Sequence, residues 1–344
     1  MEEASEGLGQ DGLDGLASAL LRGRGFAHKR DISDVVSALA AALPGGTAAL
    51  GQAVGVGDDC AAIPDGDGGY LLFAIEGFVD DFVQRMPWFA GYCGVMVNLS
   101  DICAMGGRPI AVVDALWSRG MAPGRQVLEG LAAASQRYGV PIVGGHSNNQ
   151  AAGGQLAVAI LGRAKTLLTS FNARAGDTLM MAIDLRGAYQ EPNPYWDAST
   201  GAPAERLRAD IELLPALAES GLCDAAKDIS MAGAVGTALM LLECSRVGGV
   251  IDVQAIPRPP GVPLLRWLQS FPSFGFVFSV RPAQASAVAR HFESQGIACA
   301  AVGEVTANPQ LHLRDGEASA LLWDLAVQPF IGARPAAPRE PAHV

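Results

Sequence analysis

Several features are scarce or missing from the 344 residues. The six cysteines, Cys60, Cys93, Cys103, Cys223, Cys244 and Cys299, include no Cys-x-x-Cys pair. That argues against a zinc site or a disulfide framework and points to reduced thiols in a cytoplasmic protein. No uninterrupted apolar run reaches the roughly 18 residues of a membrane span. The start, Met1-Glu2-Glu3, is not a basic region leading into an apolar run, so no signal peptide is expected. Charged residues make up 17%, short of the roughly 25% usual in globular chains. Cations are the scarcer sign, 24 Lys and Arg against 35 Asp and Glu, for a net charge of −11. Such a chain has no electrostatic reason to seek nucleic acid or an anionic membrane. If its substrates are phosphates, bound metal must offset the carboxylates.

Half the residues are apolar and 42 are glycine, which suits a mixed α/β protein with tight turns and close backbone–ligand approaches. The length allows two domains. Residues 1–25, rich in Gly and Asp, read as a mobile start. Asp31 caps an expected helix over 32–43. Strands are expected at 70–75, 110–117, 141–143 and 155–163, with helices at 89–105 and 123–138 between them. A boundary follows Lys165, so the domains are read as 26–165 and 166–332. In the second, strands are expected at 179–183, 249–253, 274–280 and 298–305, and helices at 204–219, 233–247, 262–270 and 283–295. Residues 191–203 read as a loop. The Pro- and Ala-rich residues 333–344 read as a disordered tail.

Five clusters carry potential chemistry. Gly57-Asp58-Asp59 places two carboxylates side by side, where they repel unless a cation intervenes. Hard carboxylate oxygens suit Mg²⁺, although the same three residues also read as a solvated turn. Glu76 ends an apolar strand before Gly77. Asn98 and Asp101 lie three apart on one face of an otherwise apolar helix, where a charge needs a partner or a metal. Gly144-Gly145-His146-Ser147 offers backbone and hydroxyl donors to an anion and a general-base candidate in His146. Asp228 precedes an expected helix whose N-terminus favours phosphate, and Asp228 or Ser230 reads equally as an N-cap. Trp88, Trp117, Tyr189, Tyr195 and Trp196 are candidates for a pocket wall, or for packing.

In this order the clusters resemble the superfamily of aminoimidazole-ribonucleotide (AIR) synthase, thiamine-monophosphate kinase and selenophosphate synthetase. Gly57 to Ala62 looks like its Gly-Asp-Asp-Ala-Ala loop. Asn98 to Gly106 is similar to the Asn-Leu-Ser-Asp-Ile-Ala-Ala-Met-Gly helix of thiamine-monophosphate kinases. Gly144 to Ser147 resembles the Gly-Gly-His-Ser of selenophosphate synthetases. The resemblance implies a two-domain α/β fold. Its N-terminal mixed sheet would form a barrel-like core in a homodimer, and its C-terminal α/β domain would close over ATP. It further implies Mg²⁺ on Asp58, Asp59, Asp101 and Asp228, with Glu76 where relatives carry Asp. Gly57, Asn98, Gly144, Gly145 and Ser147 would contact the nucleotide. Asp228, Lys29 and His146 would serve catalysis.

Departures from the pattern narrow the reading. His146-Ser147 replaces the Asp-Thr of the kinases, Met231 replaces the Asp of their Asp-x-Ser-Asp-Gly, and no thiol accompanies Lys29. The expected activity is ATP- and Mg²⁺-dependent phosphoryl transfer to a small-molecule acceptor. The alternatives are a thiamine-monophosphate kinase and a nucleotide-binding but catalytically inactive dimeric partner.

Overall fold

A computed structural model describes residues 7–42 and 54–333. The contacts divide the chain into two units that do not follow chain order. One comprises Met1–Asp58, Thr169–Asp197 and Leu222–Val344; the other comprises Asp59–Leu168 and Ala198–Gly221.

The first unit opens with α1 (Gly9–Leu21) and α2 (Arg24–Ala42). The stretch expected to be mobile therefore contains a helix. Leu13, Leu16, Ala17 and Leu20 recur at helical spacing and are buried, which outweighs the glycines on the other face. The second helix begins eight residues before the expected start, so Asp31 lies inside α2 rather than capping it.

The second unit runs through β1 (Ala61–Pro64), β2 (Tyr70–Phe78), α3 (Asp80–Arg85), α4 (Pro87–Ala104), β3 (Arg108–Trp117), α5 (Met121–Tyr138), β4 (Ile142–Asn148) and β5 (Gln155–Ala164), and later α6 (Ala204–Ser220). Its sheet has the order β1-β2-β5-β3-β4. Every pairing is antiparallel except β3 with β4. The sheet is open, with no closed barrel within the described chain. Burial alternates along β5, from Leu156 through Val158 and Ile160 to Ala164, because α4 covers only one face. The other face exposes Phe73 (50%), Ile75 (65%) and Val113 (41%).

The first unit resumes with β6 (Thr178–Ile183), β7 (Ala188–Tyr189), β8 (Tyr195–Asp197), β9 (Ala225–Asp228), α7 (Gly233–Ser245), β10 (Gly248–Asp252), α8 (Leu264–Leu268), β11 (Phe271–Pro272), β12 (Gly275–Val280), α9 (Ala285–Glu293), β13 (Ala298–Thr306), β14 (Gln310–Asp315) and β15 (Ala318–Asp324). Seven strands form a mixed sheet in the order β15-β14-β10-β13-β6-β12-β9, and β11-β8-β7 form a small one. The segment expected to be a loop at 191–203 thus contributes β8. The hairpin β14–β15 follows the last expected strand. The expected tail lies outside the described residues from 334 onward. Among the described residues no helix is long and apolar enough to cross a membrane, and all six cysteines are free and buried.

Candidate functional site

The acidic loop divides its two carboxylates between different tasks. Gly57 adopts φ +124°, a conformation open to glycine, and its carbonyl accepts from Lys227 Nζ at 3.2 Å. Asp58 turns into the first unit. There its carboxylate accepts from the hydroxyls of Thr169 and Ser170 and from the Ser170 amide. These bonds tie the loop to the start of the segment leading into β6. Asp59 belongs to the second unit, and one of its carboxylate oxygens lies within 4.8 Å of one from Asp101.

Asp101 is 7% exposed and sits in the last turn of α4, a helix buried on nearly all sides. Two carboxylates at that separation repel by about 3 kcal/mol at an effective dielectric of about 20. One turn earlier on α4 is Asn98, fully buried. Its Nδ2 donates to the Gly94 carbonyl at 2.7 Å, while Oδ1 has no hydrogen-bond partner among the described residues. A buried orphan acceptor is costly. Two converging carboxylates, with an orphan amide oxygen one turn away on the same helix, are hard-oxygen donors of the kind that suits Mg²⁺, so the residues present fit that ion.

The other predicted residues of the second unit lie elsewhere on its sheet. Glu76 is not at a strand end: β2 continues to Phe78, and Glu76 lies opposite Val158 on the helix-covered face. Gly144, Gly145, His146 and Ser147 are not in a turn either. They form the exposed edge strand β4, paired in parallel with β3. His146 shares the open apolar face with Val113 and Trp117, its ring 6.2 Å from that of Trp117. Lys29 is half-buried in α2, and exposed Arg30 follows it. Asp228 is the buried last residue of β9. The N-cap of α7 is Ala232, so neither Asp228 nor Ser230 fills that role.

Two ionisable residues escaped the sequence reading. Lys227 is 4% exposed beside Asp228. Its signal was a lone cation in the strand Ala-Ala-Lys-Asp. Asp114 lies on β3 under the helices, in register with Gly145 and Val158. Burial raises its carboxyl pKa above the ordinary value. A folded-state pKa above the unfolded one means that the native state holds the proton longer. Stability is then lost as pH rises from the unfolded pKa through the folded one. Asp114→Asn should therefore stabilise the protein at neutral pH by roughly 1–3 °C in Tm. The gain should shrink as pH falls toward about 4. Thermal melts of both proteins across that range check it; a pH-independent difference would show that desolvation is not the cause.

Residues 57–164 match the pattern of AIR synthase related protein, N-terminal domain, and residues 176–316 match its C-terminal domain. The chain belongs to the AIR synthase related family. An uncharacterized protein of Synechocystis is 50% identical over 283 residues, 82% of this chain and 88% of that protein. A thiamine-monophosphate kinase of Synechococcus elongatus is 25% identical over 294 residues, 77% of this chain and 88% of the kinase. Among solved structures, Thermotoga maritima PurL complexed with ATP superposes with a TM-score of 0.65 at 20% identity. The match covers 82% of this chain but only 46% of that one. At that identity the likeness establishes the shared fold.

Proposed function

We propose that this family member is an ATP- and Mg²⁺-dependent enzyme that transfers a phosphoryl group to an oxygen of a small acceptor. The observation that carries the reading is the convergence of the Asp59 and Asp101 carboxylates, one turn of α4 beyond Asn98, whose Oδ1 has no partner among the described residues. Asp59 and Asp101 would hold Mg²⁺, which supplies charge neutralisation to the phosphates of the nucleotide. Asn98 Oδ1 would accept from a water in that ion's shell. Asp58 would fix the loop through Thr169 and Ser170. Asp228, Glu76, Lys29 and His146 remain candidates from the family resemblance, each testable by single substitution. The kinase and PurL relatives support the nucleotide.

The test is calorimetric titration of ATP with and without Mg²⁺, followed by a screen of acceptors for ATP consumption. ATP at about 100 times its Kd should stabilise the fold by about 2.7 kcal/mol, and only with the metal present. Equal stabilisation without Mg²⁺ would refute the reading. Binding without turnover on any acceptor would favour the inactive-partner alternative, which the Met231 departure motivates.

We also propose a homodimer that buries the open sheet face. Phe73, Ile75 and Val113 expose apolar side chains on one sheet surface, a pattern that marks an interaction face, and β4 leaves an edge unpaired among the described residues. Ile75→Asp places a charge at the most exposed of these positions. It should convert the dimer to a monomer by light scattering at micromolar concentration; a wild-type monomer would refute the proposal.

A further inference from the structure

At the carboxyl end of β3 the second unit forms a half-open cavity of about 210 Å³. Its walls are Leu116 and Trp117 from β3, Val83 from α3 and Val127 from α5. Pro87 and Pro123, from the first turns of α4 and α5, complete the apolar lining. The polar groups at the rim are few. Ser118 Oγ is engaged with the Gly120 carbonyl and with Asn149 Oδ1. Gln84 is held by Asp80, which also takes the Gly154 amide. Arg119 is different. It is exposed and lines the cavity, and it makes no hydrogen bond or ion pair among the described residues. Its influence on Asp80 is through space only.

We propose that this cavity binds a small organic anion, a single-ring body bearing a carboxylate or phosphate that Arg119 receives. Three arguments converge on that chemistry. A guanidinium stays charged at every physiological pH and matches carboxylate and phosphate geometry in bidentate fashion. The two helices that begin at the cavity, α4 and α5, are each 18 residues long, and neither has a side-chain cap at its N-terminus. Both therefore present their positive ends to an anion. The walls, in contrast, offer the occupant's body only apolar contact, chiefly from Leu116, Val83 and Val127.

Size narrows the class further. A cavity of about 150 Å³ is enough for benzene, while drug-sized ligands occupy about 300–1,000 Å³. At 210 Å³ there is room for one ring and its anionic group. A whole nucleotide exceeds that volume. Calling the occupant the phosphoryl acceptor rests on the function proposed above; binding of the anion does not.

The experiment is a ¹⁹F-detected titration of 4-fluorobenzoate into the full chain in nucleotide-free buffer, with neutral 4-fluorobenzamide as the matched control. Saturable binding of the benzoate is expected, with the amide at least about tenfold weaker, a difference of about 1.4 kcal/mol. Arg119→Met should weaken the benzoate by a similar factor and leave the amide unchanged. Arg119→Lys should restore part of the loss. Because Arg119 is exposed, its variants should fold, and their melting temperatures confirm that. Equal binding of acid and amide, or indifference to Arg119→Met, would reduce the cavity to an apolar void and overturn the proposal. Absence of saturable binding would overturn it as well. A chain that fails to bind Mg²⁺–ATP can still pass this titration, so the two readings fail separately.

Discussion

Asp101→Asn should abolish Mg²⁺–ATP binding, lowering affinity by at least about a hundredfold, or about 2.7 kcal/mol. The same change should leave the apo protein as stable as the wild type or slightly more so. Asp101 lies 7% exposed with a second carboxylate, that of Asp59, within 4.8 Å. Removing one charge relieves their repulsion without changing the shape of the side chain. A purely structural Asp101 would behave in the opposite way. Its loss would lower apo stability and spare the nucleotide. Glu76→Gln should weaken binding less, because Glu76 projects from β2 and is not part of the converging group. Calorimetric titration of Mg²⁺–ATP into both variants, beside their apo melting curves, decides the matter. A larger effect at Glu76 would move the centre of the metal site.

Gly130→Val should unfold the second unit or cost it more than the 1–3 kcal/mol usual for overpacking. The reason is the crossing of α4 and α5, the most extensive contact between helices among the described residues. A Cβ on Gly130 would fall on the backbone carbonyl of Trp88 and the amide of Tyr92. Reciprocally, a Cβ on Gly91 would meet the backbone of Val127 and Leu131. Each helix thus presents a glycine to the main chain of the other, and neither backbone can yield without breaking its own hydrogen bonds. Since α4 carries Asn98 and Asp101, partial disruption should show as lost Mg²⁺–ATP affinity before global melting. Chemical denaturation followed by near-ultraviolet dichroism measures the first effect. A variant with an unchanged midpoint would mean that the helices can separate more readily than their packing implies.

Much of this protein is written in local sequence. Helix α4 follows from its long apolar run ended by Gly106-Gly107, and β2, β3 and β5 follow from short apolar runs bounded by turns. The order of Gly57-Asp58-Asp59, Asn98 to Gly106 and Gly144 to Ser147 was enough to indicate the family. Local reading failed where a segment takes its structure from a distant partner. Residues 225–228 are only four long and become β9 by pairing with β12. The glycines of β4 carry no strand propensity, yet they extend because β3 offers a parallel edge. The glycines in α1 suggested mobility, while the apolar spacing of Leu13, Leu16 and Leu20 had already announced a helix.

The site divides along the same line. Sequence alone determined which residue types are available: a surplus of carboxylates, few cations, and a charged residue on an apolar helix, where a partner or metal is required whatever the fold. It could not distinguish Asp58 from Asp59, which are chemically identical neighbours. Tertiary structure separated them. Thr169 and Ser170, more than a hundred residues away, engage Asp58, while Asp59 meets Asp101. Nor could sequence show that Arg119, with no hydrogen bond or ion pair among the described residues, stands at the rim of an apolar cavity, because that depends on where α3 ends and α4 and α5 begin relative to β3. Composition and spacing fix what a side chain can do; which neighbour it does it with is fixed by contacts between residues far apart in the chain.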